Sequence, residues 1–167
     1  MEREGYARMS MEQIAAEAGV TKATIYRRWP GKAELATAAL SDLRDRRPPR
    51  RSRDPHADLV AELRHFRRGV ERPNGMAMIG TVLAEEEHVP ELLAHFRRDV
   101  VLPRRARLRE ILERAELRPG LDVETAVTMA VGSYYAAYLA GGPPPRGWER
   151  RVADALVAQP AGAARDD

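Results

Sequence analysis

Between Ser10 and Lys32 the chain reads SMEQIAAEAGVTKATIYRRWPGK, two short helical patterns hinged on one glycine, and few folds accept that spacing. Ser10 followed three residues later by Gln13 is a capping-box start. Ile14, Ala15 and Ala18 then fall on one helical face. Gly19 ends the pattern where the backbone must turn left-handed, a conformation only glycine takes without strain. Val20 is expected to bury at the corner, and Thr21 is a natural N-cap for a second helix over Lys22–Trp29. Pro30-Gly31 stops that helix, and a third begins near Lys32.

Helix, glycine turn and helix predict the helix-turn-helix unit, which lays its second helix in the major groove of DNA. Ala15 is small where the two helices approach closest, and Ile25 faces back into the small core. Lys22, Thr24, Tyr26 and Arg28 are left pointing outward, a set suited to phosphates and base edges. An ordinary αα-hairpin inside a bundle has no use for outward polar groups at that density.

The longer string from Gly5-Tyr6 through MSMEQIAAEAGVTKATIYRRWPGKAEL closely resembles the DNA-binding domain of the tetracycline-repressor (TetR) family of bacterial transcription regulators. That match runs from Gly5 to about Leu40. The segments PRRARLREIL (Pro103–Leu112) and GSYY (Gly132–Tyr135) resemble the C-terminal regulatory domains of some members. The resemblance implies that Lys22–Trp29 enters the major groove, with Lys22, Ala23, Thr24, Tyr26 and Arg28 meeting bases or phosphates. Ala23 can offer only an apolar contact, such as one to a thymine methyl. Ser10 and Lys32 would hold backbone phosphates. A dimeric repressor on double-stranded DNA with a palindromic operator follows, released by an unknown small-molecule effector.

Charge is distributed as phosphate binding requires. Residues 1–53 carry 12 Lys/Arg against 7 Asp/Glu, a balance of +5, whereas the remainder carries 16 against 18, a balance of −2. Both lysines of the chain, Lys22 and Lys32, lie in the basic part. A length of 167 residues suffices for one good core or for a small domain joined to a larger one. The absence of cysteine removes disulfides, thiolate metal sites and cysteine nucleophiles. No N-terminal apolar segment reads as a signal peptide, and Ala126–Gly142 is too polar to span a membrane, so a cytoplasmic protein without membrane contact is expected.

The rest of the chain predicts helices throughout, hence an all-α fold: an N-terminal helix-turn-helix domain plus a C-terminal helical bundle for regulation and dimerisation. Residues 1–46 would form the DNA-binding domain with its connecting helix, whose stripe is Leu35, Ala36, Ala39, Leu40 and Leu43. The Pro/Arg-rich 47–54 is a linker, 55–158 a helical ligand-binding and dimerisation domain, and 159–167 a disordered tail. Helices are expected over Ala57–Arg72, Met76–Glu87, and from Val89-Pro90 to about Leu117, with Pro103 kinking or breaking the last. Val123 to about Ala140, capped by Asp122, is apolar nearly all round and reads as buried; Trp148–Ala158 is the final helix.

Small residues recur every four positions on the Val123–Ala140 helix, which lets a second helix approach closely. Gly132, Ser133, Ala136, Ala137 and Ala140, with Trp148 and Val152, are therefore the expected homodimer interface. Phe66, Met78, Phe96 and Tyr134 are core residues on the plain reading and an effector cavity on the sharper one.

Other chemistry finds little support. Glu62…His65 and Glu85…His88 have a spacing known from di-iron bundles. Counting about 100° per residue, however, places His65 roughly 150° from the apolar stripe of Leu59 and Leu63, on the solvated face. None of Ser10, Ser41, Ser52 and Ser133 sits on a strained elbow. No catalytic residue, metal or cofactor is expected, and the chain is not read as an enzyme. The rival reading is a helical ligand-binding or scaffolding dimer that has lost DNA binding. Family members carry a full helix before the equivalent of Gly5-Tyr6, whereas Met1–Glu4 supply about one turn. An upstream start is expected, with weak DNA binding by the form as given.

Overall fold

The computed structural model describes residues 10–42, 48–73 and 75–158. The expectations about the segment before Gly5, the side chains of Ala39, Leu40 and Leu43, Arg44–Arg47, Asn74 and the tail from Gln159 lie outside the described residues. Among those described, the fold is all-α. The helices are α1 Met11–Glu17, α2 Lys22–Arg28, α3 Lys32–Asp42, α4 Pro55–Val70, α5 Gly75–Ala84 and α6 Pro90–Phe96. A π-helical turn over Arg97–Val101 follows, then α7 Leu102–Leu112, α8 Val123–Gly141 and α9 Trp148–Leu156.

Contacts divide these residues into two compact units, 10–42 with 69–103, and 48–68 with 104–158. A cut at the 47–54 linker follows chain order; the contacts instead group α5, α6 and the π turn with the helix-turn-helix. In this first unit α1 packs on α2, α3 on α6 and the π turn, and α5 on α6. Ile79, Val82, Leu92, Leu93, Phe96 and Val100 are buried there. The turn into α5 requires glycine: a Cβ on Gly75 would stand 2.4 Å from the Val70 carbonyl oxygen. Pro103 does not break its helix. The amide of Leu102 bonds the Arg97 carbonyl, five residues back, so the backbone widens by one residue just before the ring that a regular turn could not accept.

In the second unit Leu59, Leu63 and Phe66 of α4, Leu108, Ile111 and Leu112 of α7, and Val127, Ala130 and Tyr134 of α8 are buried, with the Phe66 ring against that of Tyr134. The expected solvated face of α4 is wrong in part. His65 is 2% exposed and Glu62 3%, because α4 is covered on more than its apolar stripe. Glu62 can be buried because its Oε1 accepts from Arg107 Nε at 3.1 Å and Nη2 at 2.7 Å. α4 begins at Pro55, earlier than expected, since Asp54 Oδ1 accepts the His56 and Ala57 amides and caps it.

α7 stops at Leu112, short of the expected Leu117. Beyond it, Arg114 reaches Asp58 at 2.5 Å and the Ser52 carbonyl at 3.1 Å. Residues 116–118 then pair with 156–158 around an isolated antiparallel bridge, Leu117 to Val157. The cap of α8 is as predicted, with Asp122 Oδ1 accepting the Thr125 amide at 2.9 Å. Its burial is not: Ala126, Val127, Ala130 and Tyr134 are buried, while Met129, Tyr138 and Leu139 are 47%, 37% and 84% exposed. One face of α8 packs within the unit, where it meets α9, and its other face is left to solvent in the single chain.

Candidate nucleic-acid interface

α1 and α2 are each seven residues long, too short to hold as isolated helices, so a shared core must fix them. Met11, Ala15 and Ile25 form that core, flanked by Ile14, Trp29 and Leu35. Local polar groups set the helix ends. Ser10 Oγ accepts the Gln13 amide at 3.4 Å, and Thr21 Oγ1 accepts that of Thr24 at 3.3 Å. Gly19 has φ +64°, the left-handed turn expected of it. Two expected core positions are corrected. Val20 is 41% exposed, since the corner is held by its amide on the Ala15 carbonyl rather than by its side chain. Ala18 is exposed as the C-cap of α1, and Met11, one turn before Ala15, fills the core instead.

With Ile25 inward, α2 presents Lys22, Ala23, Thr24, Tyr26 and Arg28 to solvent, and Arg27 beside them. Several are oriented by their neighbours. Lys22 Nζ stands 5.8 Å from the centroid of the Tyr26 ring, and the Arg28 guanidinium lies 5.0 Å from that of Trp29. Because Trp29 packs on the small core, Arg28 is laid against a fixed platform. The Thr24 and Thr21 hydroxyls share a hydrogen bond of 2.9 Å. Ser10 and Lys32 are half-buried at the edges of the unit.

Sequence reading missed Glu12. One of its carboxylate oxygens lies 2.5 Å from Lys22 Nζ, and the other accepts from Ser10 Oγ at 2.9 Å. Those bonds, that of Lys22 above all, hold the Glu12 carboxyl down at about 2, and the same pairing raises the Lys22 ammonium. Ten residues separate the partners, so no helical spacing announces the pair.

The remaining predicted residues are distributed as follows. Phe66 and Tyr134 meet edge to face at 5.3 Å in the second unit, whereas Met78 and Phe96 belong to the first. Trp148 lies 5.4 Å from Tyr134 and donates Nε1–H to Ser133 Oγ at 3.2 Å. At 5% exposure Trp148 is spent inside its own chain rather than on an outer face. Gly132, Ala137 and Val152 are half-buried, and Ala136 and Ala140 are exposed, on the side of α8 where Met129 and Leu139 also emerge. Among the described residues no three His, Asp or Glu gather as metal ligands, and no helix is long and apolar enough to cross a membrane.

Comparison with known proteins addresses both parts of the chain. Residues 1–39 match the family described as bacterial regulatory proteins, tetR family, and residues 49–156 match the tetracyclin repressor-like C-terminal domain. The DNA-binding transcriptional repressor TetR of Mycobacteroides abscessus is 60% identical over 38 residues, which span 23% of this chain and 20% of that protein. The shared stretch is thus about a fifth of that relative. The uncharacterized HTH-type transcriptional regulator YdeS of Bacillus subtilis is 27% identical over 143 residues, 83% of this chain and 72% of YdeS. The crystal structure of the TetR family transcription regulator SCO0332 superposes with a TM-score of 0.64 at 27% identity, over 91% of this chain and 87% of that one. Matched in both its helix-turn-helix and its C-terminal helices, the chain belongs to the tetR family of bacterial regulatory proteins.

Proposed function

We propose that the chain is a DNA-binding transcriptional repressor, not an enzyme, and that it acts in the cytoplasm as a homodimer on a palindromic operator. The observation that carries this reading is the outward face of α2, where Lys22, Thr24, Tyr26 and Arg28 are exposed around a buried Ile25. A cation, a hydroxyl, a phenol and a guanidinium on one short helix are the donors that phosphates and base edges need. Ala23 adds an apolar contact, and Ser10 and Lys32 would hold the backbone on either side. Two copies are required because one such helix reads few base pairs, and their spacing must be about one DNA turn, some 34–36 Å, or a multiple.

The second copy would pack on the exposed side of α8, over Gly132, Ala136, Ala137 and Ala140, with Val152 of α9 at the margin. A small apolar or aromatic effector would act by binding the DNA-free state more tightly than the DNA-bound one, since only differential affinity shifts such an equilibrium. Phe66 and Tyr134, fully buried and packed edge to face, would have to part to admit it. The direct experiment is a gel shift on the DNA upstream of the chain's own gene, titrated with salt. Retention that weakens steeply with salt supports a repressor. No retention at low salt would favour a helical ligand-binding or scaffolding dimer.

A further inference from the structure

We propose that Glu12 is a built-in competitor for the DNA backbone, its two carboxylate oxygens holding Lys22 and Ser10 in the free protein as a phosphate group would hold them in the complex. The inference rests on the reading of α2 as the DNA-binding helix. Lys22 opens α2 and Ser10 caps α1, so the two groups reach Glu12 from different helices. The carboxylate accepts from the Lys22 ammonium at 2.5 Å and from the Ser10 hydroxyl at 2.9 Å. A carboxylate bonded on one oxygen by an ammonium and on the other by a hydroxyl has the donor set of a bound phosphate.

Two consequences follow for a duplex. A phosphate must displace Glu12 from Lys22, and the displaced carboxylate then faces a second anion. Side chains of Lys22 and Glu12 are 61% and 52% exposed, so this exchange takes place in water and is modest in size. Phosphate contacts carry no sequence information, so the restraint falls equally on operator and random DNA. Its use is to shorten residence on every site alike, leaving the operator's advantage over random DNA, which base contacts from α2 would set, unchanged.

The test uses the 167-residue chain, a duplex it selects from a randomised pool, and a shuffled duplex of equal composition. Glu12→Gln keeps the shape and removes the charge. It should raise affinity for both duplexes by the same factor, about threefold per recognition helix. The slope of log affinity against log salt should steepen by up to about 0.9 per recognition helix, because one anion fewer then faces the phosphates. In a Lys22→Gln background the gain should shrink, as a double-mutant cycle requires of a coupled pair. Glu12→Asp, which keeps the charge, should retain most of the restraint. Unchanged or weaker binding by Glu12→Gln at unchanged melting temperature overturns the inference, as does a gain undiminished by Lys22→Gln. Failure of wild type and variant alike to bind any duplex at low salt overturns the DNA-binding reading beneath it.

Discussion

At the scale of single residues, buried carboxylates of the second unit are tolerable because arginines meet them. Asp58 is 5% exposed. Burial alone would push its carboxyl up. Hydrogen bonds from Arg114 at 2.5 Å and from the Ser52 hydroxyl and amide, both at 2.8 Å, outweigh it and hold the group below the usual carboxylate range. The folded value thus lies below the unfolded one, about 3.9. The stabilisation is then complete above about pH 4 and is lost as the pH falls through the folded value. Melting temperature should therefore drop as the pH falls below about 4, and Asp58→Asn should flatten that dependence. An identical pH profile for the variant would exclude Asp58 as the source. This pairing was not legible in the sequence, since Arg114 and Asp58 lie 56 positions apart. His65 was misplaced for a related reason: a helical wheel shows the apolar stripe but not how many neighbours surround it. Caps were legible because each is a bond across three residues, as at Ser10, Thr21 and Asp122.

Helices read well where their ends are local and poorly where distant groups set them. Gly19 and Pro30-Gly31 bound α2 within one residue of expectation, whereas α7 ends five residues early. There, contacts to Ser52, Asp58 and residues 156–158 draw the chain away. The π turn before Pro103 shows the converse. Sequence locates the obstacle, but the helix accommodates it by one wider turn instead of breaking. α5 supplies a matched test of local geometry. Gly75→Ala would bring a Cβ to 2.4 Å from the Val70 carbonyl oxygen and should destabilise by about 1–3 kcal/mol. Gly80 lies in the same helix and is exposed, and a methyl there would meet nothing within 4 Å, so Gly80→Ala should stabilise by about 0.5–1 kcal/mol. Denaturant melts of both variants give the signs directly. Equal effects would mean that the close approach at Gly75 does not govern the turn.

For the molecule as a whole, the fold class was legible because helical periodicity and capping recur along the chain, and the helix-turn-helix was legible because its motif is compact. The α8 surface was only half legible. Four-residue spacing of small side chains was visible, but which of them the chain covers itself depends on Trp148 folding inward onto Tyr134 and Ser133. Ala136→Glu should place a charge on the exposed side of α8 and turn a dimer into monomers, with little change in thermal stability of the single chain. Sedimentation equilibrium reads this directly, and an unchanged dimer would move the interface elsewhere. The central claim remains that the outward face of α2 grips duplex DNA. It is tested most directly by salt-titrated binding of wild type and Arg28→Ala to a duplex from the chain's own upstream region. Arg28→Ala should bind roughly tenfold more weakly, with a salt slope shallower by about 0.9 per recognition helix if Arg28 neutralises a phosphate. Wild-type affinity and slope in Arg28→Ala, Lys22→Gln and Tyr26→Ala alike would contradict it.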